Sequence, residues 1–158
     1  MRVLYDEEII EGRVRELGAV ISRDYDDGNK ELLIVGILNG CCMFMAELMK
    51  RIEVPFQVKF INGAVDGAIY VYENIYNNRV LLVDGVCDTG KTLYTVKSTF
   101  GDGGCDVKTC VLIDKIQCRK INMRVNYAGF IMKGEKFVVG YGMDNDGLDR
   151  GLPYIMTR

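Results

Sequence analysis

From Val80 to Thr92 the chain reads Val-Leu-Leu-Val-Asp-Gly-Val-Cys-Asp-Thr-Gly-Lys-Thr. Val80 to Val83 is an unalternated apolar run, the pattern of a strand covered on both faces, as in a parallel sheet. A loop follows, then a helix to about Phe100 that Gly101-Asp102-Gly103-Gly104 ends. Where a strand hands over to a helix, unpaired backbone N–H groups and the positive end of the helix dipole favour an anion. Gly90 lets the backbone approach such a ligand closely, and the hydroxyls of Thr89 and Thr92 add donors. A plain helix cap also uses threonine and aspartate. Two carboxylates four residues apart, Asp84 and Asp88, ahead of a Thr-Gly-Lys-Thr turn exceed what a cap requires.

The rest of the chain repeats the alternation of strand and helix. From Asp6 to about Tyr25, the residues Ile9, Ile10, Val14, Leu17 and Ile21 fall on one helical face, and Asp26-Asp27-Gly28-Asn29 ends it. Leu32 to Leu38 is a second continuous apolar strand. After Asn39-Gly40, residues 41 to 51 read as a helix with Met43, Met45 and Met49 as core filler. Phe56 to Ile61 and Ile69 to Tyr72 are shorter strand candidates, with Gly63, Asp66 and Gly67 marking a tight connection. Val107 to Ile113, Val125 to Ile131 and Phe137 to Val139 complete the set. The pattern predicts one α/β domain over residues 1–158, built on a mostly parallel, doubly wound sheet. Ligands bind such sheets at the carboxyl ends of the strands, here the loops after Leu38, Val83 and Ile113.

Composition narrows the chemistry. With 158 residues and 49% hydrophobic content the chain is long enough to bury a core. A net charge of −2 gives no footprint for nucleic acid or an anionic membrane, so a polyanionic ligand must be held by a local site. Leu32 to Met49 is nearly continuously apolar, but Asn39-Gly40 and Glu47 argue for strand then helix rather than a membrane span. The absence of histidine excludes Ser-His-Asp and Cys-His catalysis and imidazole metal ligands, leaving acid–base work to carboxylates, lysines or tyrosines. The cysteines at 41, 42, 87, 105, 110 and 118 form no C-x-x-C pair and read as small core residues in a reducing compartment. The acidic, polar N-terminus is no signal peptide, so a cytoplasmic location is expected.

Gly85-x4-Gly90-Lys91-Thr92 also satisfies the Walker A pattern, and Val111-Leu112-Ile113-Asp114 passes for a Walker B strand, which makes a P-loop nucleotide hydrolase a rival. Against it, Asp88 would sit inside a loop meant to wrap phosphates, where a carboxylate repels the ligand. Fewer than 50 residues also follow Asp114.

A different resemblance covers nearly the whole chain. Val80 to Leu93 resembles the phosphoribosyl-diphosphate motif of the type I phosphoribosyltransferases. Ile37-Leu38-Asn39-Gly40 looks like their diphosphate loop, and Leu112-Ile113-Asp114-Lys115 like the segment bearing a purine-contacting lysine. Phe137 to Asp144, followed by Arg150 and Leu152-Pro153-Tyr154-Ile155, is similar to the C-terminal signature of hypoxanthine-guanine phosphoribosyltransferases. The resemblance implies the type I fold with a small C-terminal or hood region. It also implies Mg²⁺-assisted transfer of ribose 5-phosphate from phosphoribosyl diphosphate to a 6-oxopurine, in a dimer or tetramer.

Carried over residue by residue, Asp88, Thr89, Gly90, Lys91 and Thr92 cradle the 5-phosphate, and Asp88 also faces N7 of the base. Lys115 donates to the purine O6, Phe137 stacks on the ring, and Val138 contacts its edge. Asn39, Gly40 and Arg150 hold pyrophosphate. Asp84 and Asp144 serve the metal, and Asp144 also borders the purine. The chain departs from the family in three places. Gly85 replaces one acid of a pair, Asn39 stands where lysine is usual, and the connection from Ile61 to Tyr72 is about ten residues short. That connection lacks the Ser-Tyr pair of a closing hood, and neither Tyr70 nor Tyr72 replaces it. An active transferase, a nucleotide-binding protein of the same fold without turnover, and the P-loop hydrolase are the three readings.

Overall fold

The structure is a computed structural model that describes residues 2–28, 31–63 and 79–158. The strand expected at Ile69 to Tyr72, the Asp66–Gly67 connection and the hood tyrosines lie outside those residues.

Five strands form a parallel sheet: β2 (Leu32–Leu38), β3 (Phe56–Asn62), β4 (Arg79–Cys87), β5 (Asp106–Asp114) and β6 (Tyr127–Ile131), in the order β3-β2-β4-β5-β6. Their near-continuous apolar composition follows from burial on both faces. Alternate residues serve opposite layers. Ile34, Leu81, Val83 and Leu112 pack with α1 (Glu7–Tyr25) and α2 (Cys42–Met49). Leu33, Val35, Val80, Leu82 and Val111 pack with Leu93, Val96 and Phe100 of α3 (Lys91–Asp102). Helix α1 is the amphipathic helix its spacing predicts. Ile10, Val14, Leu17 and Ile21 are buried, Ile9 at the edge of that face is exposed instead, and Asp6 caps the helix by accepting from the Ile9 amide at 2.9 Å.

Two sequence expectations need correction. Strand β4 does not stop at Val83; its ladder with β5 continues through Asp84↔Val111, Val86↔Ile113 and Cys87↔Asp114. A polar residue and a glycine read as loop, yet the backbone pairing runs through them: Asp84 is tolerated because it opens onto a cavity, and Gly85 because nothing larger fits there. The segment expected at Phe137–Val139 is not part of the parallel set. As β7 (Val138–Val139) it pairs antiparallel with β8 (Ile155–Thr157), which pairs with β1 (Arg2–Tyr5) in a second, three-stranded sheet. That sheet joins the two ends of the chain and carries Phe137 and Val138 to the carboxyl edge of the large sheet.

Candidate functional site

With β4 running to Cys87, the loop at its end is only Asp88-Thr89-Gly90 before α3 begins at Lys91. Gly90 sits at φ 82°, a left-handed conformation that glycine adopts without strain. The Thr89 hydroxyl accepts from the Lys91 amide at 3.3 Å. Asp84, Asp88, Thr89, Gly90, Lys91 and Thr92 line a small cavity of about 90 Å³ over the start of α3. This geometry also removes the Walker A reading: Gly85 lies in a strand, so Gly85 to Lys91 does not form a loop around phosphates.

A second cavity, of about 330 Å³, adjoins the first and shares Asp84, Val86 and Asp88 with it. The loop after β2 contributes Asn39 and Gly40, and the end of β5 contributes Lys115. Phe137 and Val138 come from the start of β7, and Asp144 and Arg150 from the turn between β7 and β8. Every residue that the resemblance places at phosphate, pyrophosphate, purine or metal therefore lines one of two adjoining cavities. Sequence reasoning did not single out Val86 or Met143, which add apolar wall. A larger cavity of about 690 Å³ lies against α1 and residues 50–55. None of the predicted site residues lines it, and its Arg15, Lys50 and Arg51 are paired with Glu11 and Glu47.

Charges in the second cavity are organised in pairs. The Lys115 side chain is 3% exposed, and its Nζ lies 3.0 Å from Oδ2 of Asp88, which is 51% exposed. Arg150 pairs with Asp144 at 2.8 Å and donates to the Gly142 carbonyl at 2.7 Å, so a residue expected at the metal and one expected at pyrophosphate touch each other. The Gly147 amide holds the other Asp144 oxygen at 2.8 Å. Asp84 differs. It accepts from the Gly85 amide at 2.7 Å and has no cationic partner among the described residues. Burial pushes its carboxyl up to about 7, against the lowering effect of the Gly85 and Val86 amides. Phe137 is 52% exposed, a ring presented at the cavity mouth rather than the buried strand residue its apolar neighbours suggest.

Gly85 explains its own identity. A Cβ there would lie 2.6 Å from the Gly40 carbonyl oxygen, and one on Gly142 would lie 2.8 Å from the same atom. The loop after β2 thus rests directly on β4, leaving no room for an acid at position 85.

Arg119 belongs to no motif and carries no periodic signal. Partly buried behind the phosphate loop, it pairs with Asp114 and donates to the carbonyls of Cys87 and Asp88. That pairing also leaves Asp114 unavailable as a Walker B carboxylate. Three of the six cysteines, Cys41, Cys87 and Cys110, are core residues as expected; Cys42 is exposed and Cys105 and Cys118 are half-buried.

Among the described residues no helix is long and apolar enough to cross a membrane. Nor does any group of three or more cysteine, aspartate or glutamate side chains there form a metal cage. Asp84 fits a metal by a different route: Mg²⁺ is held by one or two carboxylates and completed by substrate phosphates and water, and Asp84 is a desolvated acid without a counter-charge among the described residues.

Comparison with known proteins agrees with this geometry. The phosphoribosyl transferase domain family matches residues 3–146. The chain is 34% identical to the hypoxanthine phosphoribosyltransferase of Salmonella typhimurium, over 98% of this chain and 93% of that protein. It is 32% identical to the one from Buchnera aphidicola, over 98% and 94%. Among solved structures, a hypoxanthine-guanine phosphoribosyltransferase from Bacillus anthracis superposes with a TM-score of 0.92 at 29% identity, covering 100% of this chain and 98% of that one. The Trypanosoma cruzi hypoxanthine phosphoribosyltransferase gives 0.93 at 28% identity, covering 99% and 95%.

Proposed function

The chain belongs to the phosphoribosyl transferase family, and on that premise we propose that it is a purine-salvage transferase. It moves ribose 5-phosphate from phosphoribosyl diphosphate to hypoxanthine or guanine, giving IMP or GMP and pyrophosphate. The observation that carries this reading is the convergence of base-side and phosphate-side residues on two adjoining cavities that share Asp84 and Asp88.

In this reading the 5-phosphate occupies the cavity at residues 88–92, held by loop amides, hydroxyls and the start of α3. The base lies between Phe137 and Lys115. The Lys115 ammonium donates to O6, which favours 6-oxo over 6-amino bases because an ammonium cannot accept a hydrogen bond. Asp88 faces N7 and takes up the base proton as N9 attacks the ribose. The N9–C1 bond forms, the bond from C1 to the diphosphate oxygen breaks, and its electron pair leaves with pyrophosphate. Arg150 and the amides at Asn39 and Gly40 hold that leaving group, for which a planar fork of donors is well suited. Mg²⁺, when bound, neutralises charge on the diphosphate. Asp84, with Asp144, would hold it, and Asp84 would also meet the ribose hydroxyls. The six cysteines, none of them in a disulfide, suit a cytoplasmic setting. The resemblance supports a homo-oligomer.

The test is incubation with Mg²⁺, phosphoribosyl diphosphate and either base. Formation of IMP or GMP is expected. Tight GMP binding without turnover points instead to a non-catalytic nucleotide-binding protein, and failure of both rejects the proposal.

A further inference from the structure

The phosphate loop is held from behind by Arg119, a residue that no motif singles out. Arg119, only 12% exposed, reaches under the loop from the connection between β5 and β6. Its Nη1 donates to the carbonyls of Cys87 at 3.2 Å and Asp88 at 2.9 Å and touches the Cys87 sulfur at 2.6 Å. Its Nη2 is anchored by the buried carboxylate of Asp114. Two amides of the same connection complete the arrangement. Lys115 N–H donates to the Cys87 carbonyl at 3.0 Å, and Lys120 N–H to the Thr89 carbonyl at 3.0 Å. Three successive carbonyls, at 87, 88 and 89, are therefore taken up by one segment. In a trans peptide the C=O and the following N–H point in opposite directions. Holding these carbonyls on one side turns the amides of residues 88, 89 and 90 to the other, where the cavity over α3 opens. The arginine stem packs against the same loop, since a Cβ on Gly90 would lie 2.8 Å from Arg119 Cδ.

We propose that Arg119 is a positioning residue for the 5-phosphate: its fork draws the loop carbonyls back so that the loop amides converge on the anion. The inference rests on the phosphoribosyl reading above and adds to it a residue that never touches substrate. Lysine at this position keeps the charge but cannot bridge two carbonyls and Asp114 at once.

The experiment compares IMP with inosine, which lacks the phosphate, by titration calorimetry on the wild-type protein, Arg119→Lys and Asp114→Asn. The wild type should bind IMP more tightly than inosine. In Arg119→Lys that ratio should fall by about tenfold, as expected for losing a charge-assisted hydrogen bond. Inosine affinity should hold, and KM for phosphoribosyl diphosphate should rise while KM for hypoxanthine does not. Asp114→Asn, which frees the anchored end of the fork, should shift the ratio the same way by less. Equal weakening of IMP and inosine, or an unchanged ratio, overturns the proposal. Circular dichroism separates collapse of one variant, where the other decides, from collapse of both, which makes the cluster structural and also overturns it. A wild-type protein that does not distinguish IMP from inosine overturns the phosphoribosyl reading itself, and this inference with it.

Discussion

The phosphate loop and the wall facing it reach the same site by different routes. The loop, with the strand end and helix start that flank it, is one contiguous stretch, residues 84 to 92, and it acts largely through its main chain. Its geometry depends on a strand end, a helix start and one left-handed glycine. The wall is assembled from four connections, at Asn39–Gly40, Lys115, Phe137–Val138 and Asp144 with Arg150, and acts mainly through side chains. Those side chains are paired before any substrate arrives, Lys115 with Asp88 and Arg150 with Asp144. A main-chain site is pre-organised by local covalent structure, whereas a side-chain site exists only once the sheet has stacked distant loops at its carboxyl edge. The loop should therefore govern phosphate affinity with little sensitivity to most side chains, while the wall governs chemistry and base choice.

Asp88 belongs to both regions, so it tests the division most severely. Asp88→Asn keeps the loop backbone and the hydrogen-bonding shape but removes the proton acceptor and the charge beside Lys115. Turnover should fall by about 100-fold, the scale of a lost general base. GMP affinity should change only a few-fold, read by steady-state kinetics beside equilibrium titration. Equal losses in both would reduce Asp88 to a loop cap.

Gly85→Ala separates the regions from below. The new Cβ meets the Gly40 carbonyl at 2.6 Å, so the loop after β2 must move while the segment 88–92 need not. Destabilisation by about 1–3 kcal/mol is expected from overpacking against backbone. Scanning calorimetry should record it, and pyrophosphate should lose potency as an inhibitor more than inorganic phosphate does. A variant with unchanged melting and pyrophosphate affinity would show that β4 and the loop after β2 are not in close contact.

Asp84 supplies a smaller, pH-dependent effect. Its folded-state pKa, pushed up to about 7 from 3.8 by burial, means the native state binds its proton more tightly than the unfolded chain does. The stability contributed by the neutral carboxyl is thus present at low pH and is lost as pH rises from about 4 through 7. Because Asp84 also lines both cavities and is not sealed from solvent, about 2 kcal/mol is expected rather than the ~4 kcal/mol that three units imply. Asp84→Asn should melt higher than the wild type at pH 8 and match it near pH 4, while activity falls. A constant difference at both pH values would remove the buried-charge account.

The same division describes what the sequence disclosed. The buried strands at Leu32, Val80 and Val107 and the face of α1 were legible because each signal is local: an apolar run or a 3.6-residue period. The phosphate loop was legible for the same reason. The short strands Arg2–Tyr5 and Ile155–Thr157 were not, because each is defined by a partner at the other end of the chain. The extension of β4 past Val83 was hidden by Asp84 and Gly85, whose place in the ladder depends on what lies above them. Arg119 left no pattern because it works on carbonyls, which every residue has. The wall residues were found only through resemblance to a family; a lone lysine or aspartate on a connection has no periodicity to announce it.

Phe137 is where wall and loop should come apart most cleanly. Its ring is 52% exposed at the cavity mouth, so Phe137→Ala should leave the melting temperature within about 1 °C, as surface changes do. Loss of one base–aromatic stack costs about 1 kcal/mol, so IMP affinity should fall about fivefold. Ribose 5-phosphate, which has no base, should bind the variant and the wild type alike. If ribose 5-phosphate weakened as much as IMP, the ring would be bracing the phosphate loop rather than holding the base. The two regions would then be one mechanical unit, distinct only in how the covalent chain supplies them.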